Sequence, residues 1–159
     1  MSPNQVQVEL NDGGETTFQT KNIIIATGHS PTSIPGIEID GSKVVNYEHA
    51  ILADTLPSSV VVIGAGAIGV EFSYIWNSYG VPVTVVEMLG QVMPNTDREI
   101  SQELDKQLSK RGVNIKTGAK VTKVEKLTSG VNVTVETEGG DEILTADQVL
   151  LAASFVPNR

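Results

Sequence analysis

The run VVVIGAGAIGVEF, residues 60–72, constrains this chain more than any other stretch. Four β-branched residues in a row, Val60, Val61, Val62 and Ile63, lack the polar alternation of a half-exposed strand. That pattern belongs to a parallel strand buried on both faces. Gly64, Gly66 and Gly69 follow at G-x-G-x-x-G spacing and lead into an apolar helix. Gly64 permits a tight turn, Gly66 lets the backbone approach a phosphate, and Gly69 lets helix pack on strand. A pyrophosphate seated there would meet the free N–H groups and positive dipole end of a helix that begins near Ala67.

Strand-glycine-helix turns also occur in α/β domains that bind no dinucleotide, so the context decides. Twenty-three residues after Gly64, the strand pattern of residues 81–86 ends in Glu87. A carboxylate at that place accepts both hydroxyls of an adenosine ribose. It would also repel a 2′-phosphate, and no arginine follows until Arg98, so the sequence favours NAD over NADP.

A chain of 159 residues holds one ordinary domain, or one plus a fragment. It has no cysteine and only two histidines, His29 and His49, which excludes disulfides, thiolate metal sites and thiol catalysis within it and leaves no metal-ligand spacing. The formal charge of −8 includes no basic stripe to neutralise phosphates, which argues against a nucleic-acid partner. Neither an apolar run of about eighteen residues nor a charged-then-apolar leader is present, so no membrane association and a cytoplasmic location are expected.

Val6, Val8 and Leu10 alternate with polar residues before the turn at Asp12, Gly13 and Gly14, which predicts a hairpin feeding a buried core strand at residues 23–28. Residues 29–59 are rich in proline and glycine and read as a linker whose only helical piece is 47–53. A helix is predicted over 67–79, with Ile68, Phe72, Ile75, Trp76 and Tyr79 facing the sheet and Gly80 as its left-handed cap. Trp76 falls on the packing period and reads as core. A second helix is predicted to open at Thr96, capped through Glu99, and to bury Ile100, Leu104 and Leu108. After Gly112 the period changes to two, through Val121, Val124, Val131, Val133 and Val135, before the apolar run of 149–153. That change predicts a β-meander returning to a parallel strand.

The chain also repeats itself. Val6, Val8 and Leu10, the Gly13-Gly14 turn, the apolar run 23–27 and Pro31 match Val131, Val133 and Val135, the Gly139-Gly140 turn, the run 149–153 and Pro157. The second copy closes the domain that opens at Val60, so the first is expected to close an equivalent domain that begins outside this chain.

Together these residues resemble the flavin-dependent pyridine-nucleotide disulfide oxidoreductases, in which an NAD domain is inserted into an FAD domain of related fold. Residues 23–28 are similar to that family's ATG motif, 64–71 to its GxGxxGxE fingerprint and 150–157 to its second ATG-like strand end. Tyr47-Glu48, residues 64–72, Val85-Val86-Glu87, Met93-Pro94 with Asp97, and residues 155–158 are most similar to its dihydrolipoamide dehydrogenase branch. The resemblance covers nearly the whole chain. It implies an α/β fold: a Rossmann-like dinucleotide-binding domain with parallel sheet and β-meander crossover, plus a small N-terminal β-hairpin remnant of an FAD domain. The implied boundaries are an FAD-domain piece at 1–30, a linker at 31–57, an NAD-binding domain at 58–155 and a return toward the FAD domain at 156–159.

By the same resemblance, Gly64, Ala65, Gly66, Ala67, Ile68 and Gly69 would cradle the NAD pyrophosphate, and Glu87 would hold the ribose. Val121 would pack on adenine, and Ser154, where the family usually has glycine, would lie beside the nicotinamide. Glu71 matches an acid near the nicotinamide that pairs with a lysine by the flavin, a lysine this chain does not contain; otherwise it is a polar residue on an exposed helix edge. Thr27 and Gly28 would approach FAD. The implied parent is a homodimer of 2-oxo-acid dehydrogenase complexes, passing hydride from reduced flavin to NAD. The redox disulfide, the first FAD fingerprint and the C-terminal His-Glu pair are absent, so the chain alone is expected to be inactive. Another flavoprotein disulfide reductase or an NADH oxidase would share these residues, and a non-catalytic nucleotide-binding module remains the reading from a different class.

Overall fold

The computed structural model describes residues 3–153 and 155–158. In chain order it contains β1 (Gln5–Glu9), β2 (Glu15–Gln19), β3 (His29–Pro31), β4 (Val44–Val45), α1 (Tyr47–Ile51), β5 (Val60–Ile63), α2 (Ala67–Ser78) and β6 (Val83–Val86). There follow α3 (Arg98–Lys110), β7 (Asn114–Lys116), β8 (Lys120–Leu127), β9 (Gly130–Thr137), β10 (Gly140–Ala146), β11 (Gln148–Leu151) and β12 (Phe155–Pro157). The chain divides into two compact units, Met1–His29 with Pro157–Arg159, and Ser30–Val156.

In the larger unit a parallel sheet has the order β4-β11-β5-β6-β7. Successive side chains of a strand point to opposite faces, and the apolar runs fill both. Val60 and Val62 of β5, Val83 and Val85 of β6 and Leu150 of β11 cluster with Trp76 of α2 and Leu108 of α3. Val61 and Ile63, Val86, and Val149 and Leu151 cluster with Val131, Val133 and Val135 of β9. The sheet is therefore the middle of three layers, helices on one face and the antiparallel meander β10-β9-β8 on the other. This is the mixed α/β architecture expected from the change of period after Gly112. Each fully buried valine contributes about 1.5–3 kcal/mol relative to exposure.

Four local expectations need correcting. Residues 23–28 form no strand, and Ile24 and Ile25 are 91% and 83% exposed. A strand exists only where neighbours accept its ladder bonds. The matching run, β11, lies between β4 and β5, whereas no described strand flanks 23–28. The repeated hairpin does form, with β1 and β2 paired antiparallel and Val6 opposite Phe18.

Residues 31–57, expected as a linker, supply β4, whose Val44 and Val45 are buried beside β11. Asp40 makes that turn: Oδ1 accepts N–H groups of Ser42, Lys43 and Val44 at 2.9, 2.8 and 3.0 Å, and Oδ2 meets Lys126 Nζ of β8 at 2.9 Å.

Helix α2 buries Gly69, Ser73 and Trp76, while Ile75 and Tyr79 face outward. Its phase is set by the close contact of Gly69 with the Gly64 carbonyl, which turns the small-residue edge to the sheet. Trp76 packs against Phe72 with ring centroids 5.3 Å apart. Gly80, with φ of +82°, follows the helix in the left-handed conformation expected. Helix α3 is capped by Asp97, not Thr96: the Asp97 carboxylate accepts the Glu99 N–H at 2.9 Å. The start is one residue later, and the inner edge is Ser101, Leu104 and Leu108, with Ile100 61% exposed. Ser101 takes the inner place because its hydroxyl donates to the Val92 carbonyl at 2.6 Å.

Candidate nucleotide-binding site

Parallel α/β sheets place ligands beyond the carboxyl ends of their strands, where the order of connection reverses. Here the chain runs outward from β5 through β6 to β7 and returns to β11 on the other side of β5. At that point a cleft of about 670 Å³ opens, bordered by Gly64 and Gly66 after β5, Glu87 after β6, Ala153 after β11, and Ala119 and Val121 at the start of the meander.

The glycines divide the work sterically. A Cβ on Gly64 (φ +103°) would come within 2.7 Å of the Ala152 carbonyl oxygen, and one on Gly69 would strike the Gly64 carbonyl. Both are fixed by packing. Gly66 differs, since a Cβ there meets nothing within 4 Å. It is the N-cap of α2, and no side chain caps that helix. Gly66 and Ala67 both line the cleft, so the uncapped helix start lies beside it, where its dipole would stabilise an anion.

Glu87 is 8% exposed and tied to the turn: Oε2 accepts the Ala65 N–H at 2.7 Å and Oε1 the Leu89 N–H at 2.9 Å. A carboxylate offers about four lone-pair sites, so each oxygen retains one for a further donor. Two donors are what a ribose diol presents. The strand end itself is held by Gly64 N–H to Val86 O at 2.9 Å and Glu87 N–H to Lys116 O at 2.8 Å.

Of the residues singled out in the sequence, Gly64, Gly66, Ala67, Glu87 and Val121 line this cleft. Ala65 is buried and acts through its backbone; Ile68 and Gly69 lie deeper in the turn and helix. Glu71 is exposed on α2 and is not part of the lining. Ser154 lies outside the described residues. Thr27 and Gly28 belong to the smaller unit, where Thr27 Oγ1 donates to Asn158 O at 2.7 Å and Asn158 N–H to Gly28 O at 3.1 Å. Sequence reasoning missed the wall made by Met88, Leu89, Met93 and Pro94. Met93-Pro94 carried part of the family resemblance, but no sequence signal gave these residues a place on the cleft. Among the described residues Lys120 is the cation that lines the cleft. Among the described residues no group of three or more side chains is disposed to hold a metal, and no helix is long and apolar enough to cross a membrane.

A mixed α/β unit with a glycine turn, an uncapped helix start and a strand-end acid around one cleft has the general arrangement of a doubly wound α/β fold, and its structural neighbours are flavoprotein disulfide reductases and related oxidoreductases. The structure superposes on crystalline LpdA from Mycobacterium tuberculosis with a TM-score of 0.81 at 28% identity, covering 97% of this chain and 33% of that one. It matches a water-forming NADH oxidase from Lactobacillus brevis bound to NADH with a TM-score of 0.73 at 26% identity, covering 98% of this chain and 34% of that one. A dihydrolipoyl dehydrogenase of Mycobacterium bovis is 45% identical over 155 residues, 98% of this chain and 33% of the relative. Residues 2–159 match the family model described as pyridine nucleotide-disulphide oxidoreductase, and the chain belongs to that family. It spans about a third of the length of the relatives it matches.

Proposed function

We propose that residues 58–155 are the NAD(H)-binding domain of an FAD-dependent dihydrolipoamide dehydrogenase, with 1–30 and 156–159 belonging to its FAD domain. The observation that carries this reading is the junction of Gly66, the uncapped start of α2 and the Glu87 carboxylate on one cleft. The turn and helix start would hold the pyrophosphate, Glu87 the adenosine ribose, and Val121 the adenine. Like charge at Glu87 would disfavour a 2′-phosphate, so NAD is the expected cofactor.

Bound NAD would supply the hydride acceptor for reduced flavin. This chain's own part is to bind and orient it, with Glu71 and Ser154 on the nicotinamide side. The chain has no cysteine, so thiol chemistry on dihydrolipoamide would fall to other parts of the parent enzyme, which would be a homodimer associated with 2-oxo-acid dehydrogenase complexes. The 45% identity to a dihydrolipoyl dehydrogenase favours this parent over an NADH oxidase, whose NADH-bound structure shares the fold.

Calorimetric titration of NADH and of NADPH into the purified chain tests the proposal. One NADH per chain, bound more tightly than NADPH, is the expected outcome. No saturable heat with NADH would defeat it.

A further inference from the structure

Met93 is the one non-glycine residue with positive φ, +46°, among those described. Left-handed backbone is unfavourable for a side chain with a Cβ, and Pro94 follows, which biases Met93 toward extended backbone instead. The conformation is held from several sides. Met93 N–H donates to Ala65 O at 2.8 Å and Thr96 N–H to Met93 O at 2.8 Å. Before it, buried Val92 accepts the Ser101 hydroxyl at 2.6 Å, and Gln91 Nε2 donates to Thr96 O at 3.2 Å. Backbone strain that is over-determined in this way gathers at ligand sites, and Met93 lines the cleft with Glu87 and Val121.

Ala65 joins Met93 to Glu87. Its N–H goes to Glu87 and its carbonyl receives Met93. The loop wall is thereby fixed to the same peptide that fixes the acid. A thioether side chain is flexible and polarisable and packs well on aromatic rings.

Resting on the nucleotide reading above, we propose that Met93 is a nucleotide-contacting residue whose strained backbone sets its side chain as an apolar wall for the adenosine half, in the cleft it lines with Val121. The strain serves placement: relaxing the backbone alone is expected to leave the fold intact, and removing the side chain to weaken the ligand.

The experiment compares Met93→Ala, Met93→Gly and Met93→Leu for thermal melting and for binding of NADH and ADP-ribose. Alanine keeps the strain that glycine releases, so the glycine variant should melt about 2–4 °C above the alanine variant. At an ordinary helical or extended position the order is the reverse. Both should bind NADH and ADP-ribose about three- to tenfold more weakly than wild type, from the loss of roughly 50 Å² of apolar contact. Leucine should restore most of the affinity. An alanine variant that melts above the glycine variant, or NADH affinity unchanged in both, overturns the inference while leaving the nucleotide reading intact. Failure of the wild-type chain to bind NADH would overturn both.

Discussion

Glu87→Gln separates the two tasks assigned to this side chain. The carboxylate receives N–H donors from Ala65 and Leu89 at 2.7 and 2.9 Å in a nearly buried position. An amide of the same shape has one acceptor oxygen, so one N–H keeps its bond and the other faces an NH₂ group. Losing one charge-assisted bond and orphaning its donor costs about 2–3 kcal/mol. For a chain of this size that lowers Tm by about 4–12 °C. In the nucleotide complex the amide also accepts at most part of the ribose diol, so NADH should weaken by roughly tenfold to a hundredfold beyond the stability effect. NADPH, already disfavoured, should weaken far less. Thermal melting followed by circular dichroism gives the first quantity and calorimetry the second. Tm within about 1 °C of wild type would show that the carboxylate does not hold the glycine turn. An unchanged ratio of NADH to NADPH affinity in the folded variant would refute the ribose assignment.

Gly66→Ala and Gly69→Ala should diverge. A methyl at Gly66 meets nothing within 4 Å, so that variant should melt like wild type yet bind NADH at least tenfold more weakly by calorimetry, whereas a methyl at Gly69 collides with the Gly64 carbonyl and should unfold or lower Tm by more than about 5 °C. Asp40 gives a pH signature. Burial alone would raise its pKa, but the Val44 N–H, the Lys126 ammonium and the N–H groups of Ser42 and Lys43 outweigh burial and hold it well below the ordinary 3.8. Its contribution is therefore present above pH 3.8 and is lost as pH falls through the lowered folded value. Asp40→Asn should lower Tm by a few degrees at pH 7, and melting curves taken toward pH 2 should show the gap to wild type closing.

The features legible in sequence were those with a period or a fixed spacing. Residues 60–69 could be read because a strand buried on both faces must be continuously apolar and because Gly64 and Gly69 leave no room for a Cβ. The meander could be read because Val131, Val133 and Val135 all turn to one core. What escaped depends on neighbours. Residues 23–28 look like β11 in composition, but no described strand flanks them. Val44 and Val45 sit between loop residues, and only the Asp40 turn delivers them to the sheet edge. Helix phase was misjudged at Ile75, Tyr79 and Ile100 because small residues, Ser73 and Ser101, take the inner positions that hydrophobicity alone assigns to large ones. Met93-Pro94 stood out as part of the resemblance, but its place on the cleft was hidden because a left-handed backbone at methionine leaves no mark in a sequence.

The central claim is that Gly66, Ala65 and Glu87 form one nucleotide site at the carboxyl ends of β5 and β6. Amide chemical-shift mapping of the isotopically labelled chain during an NADH titration tests it most directly. Saturating shifts are expected at Gly64, Ala65, Gly66, Ala67, Leu89 and Val121, with the hairpin amides of Val6 and Thr17 unmoved. Shifts confined to residues outside the cleft, or none at saturating NADH, would contradict it.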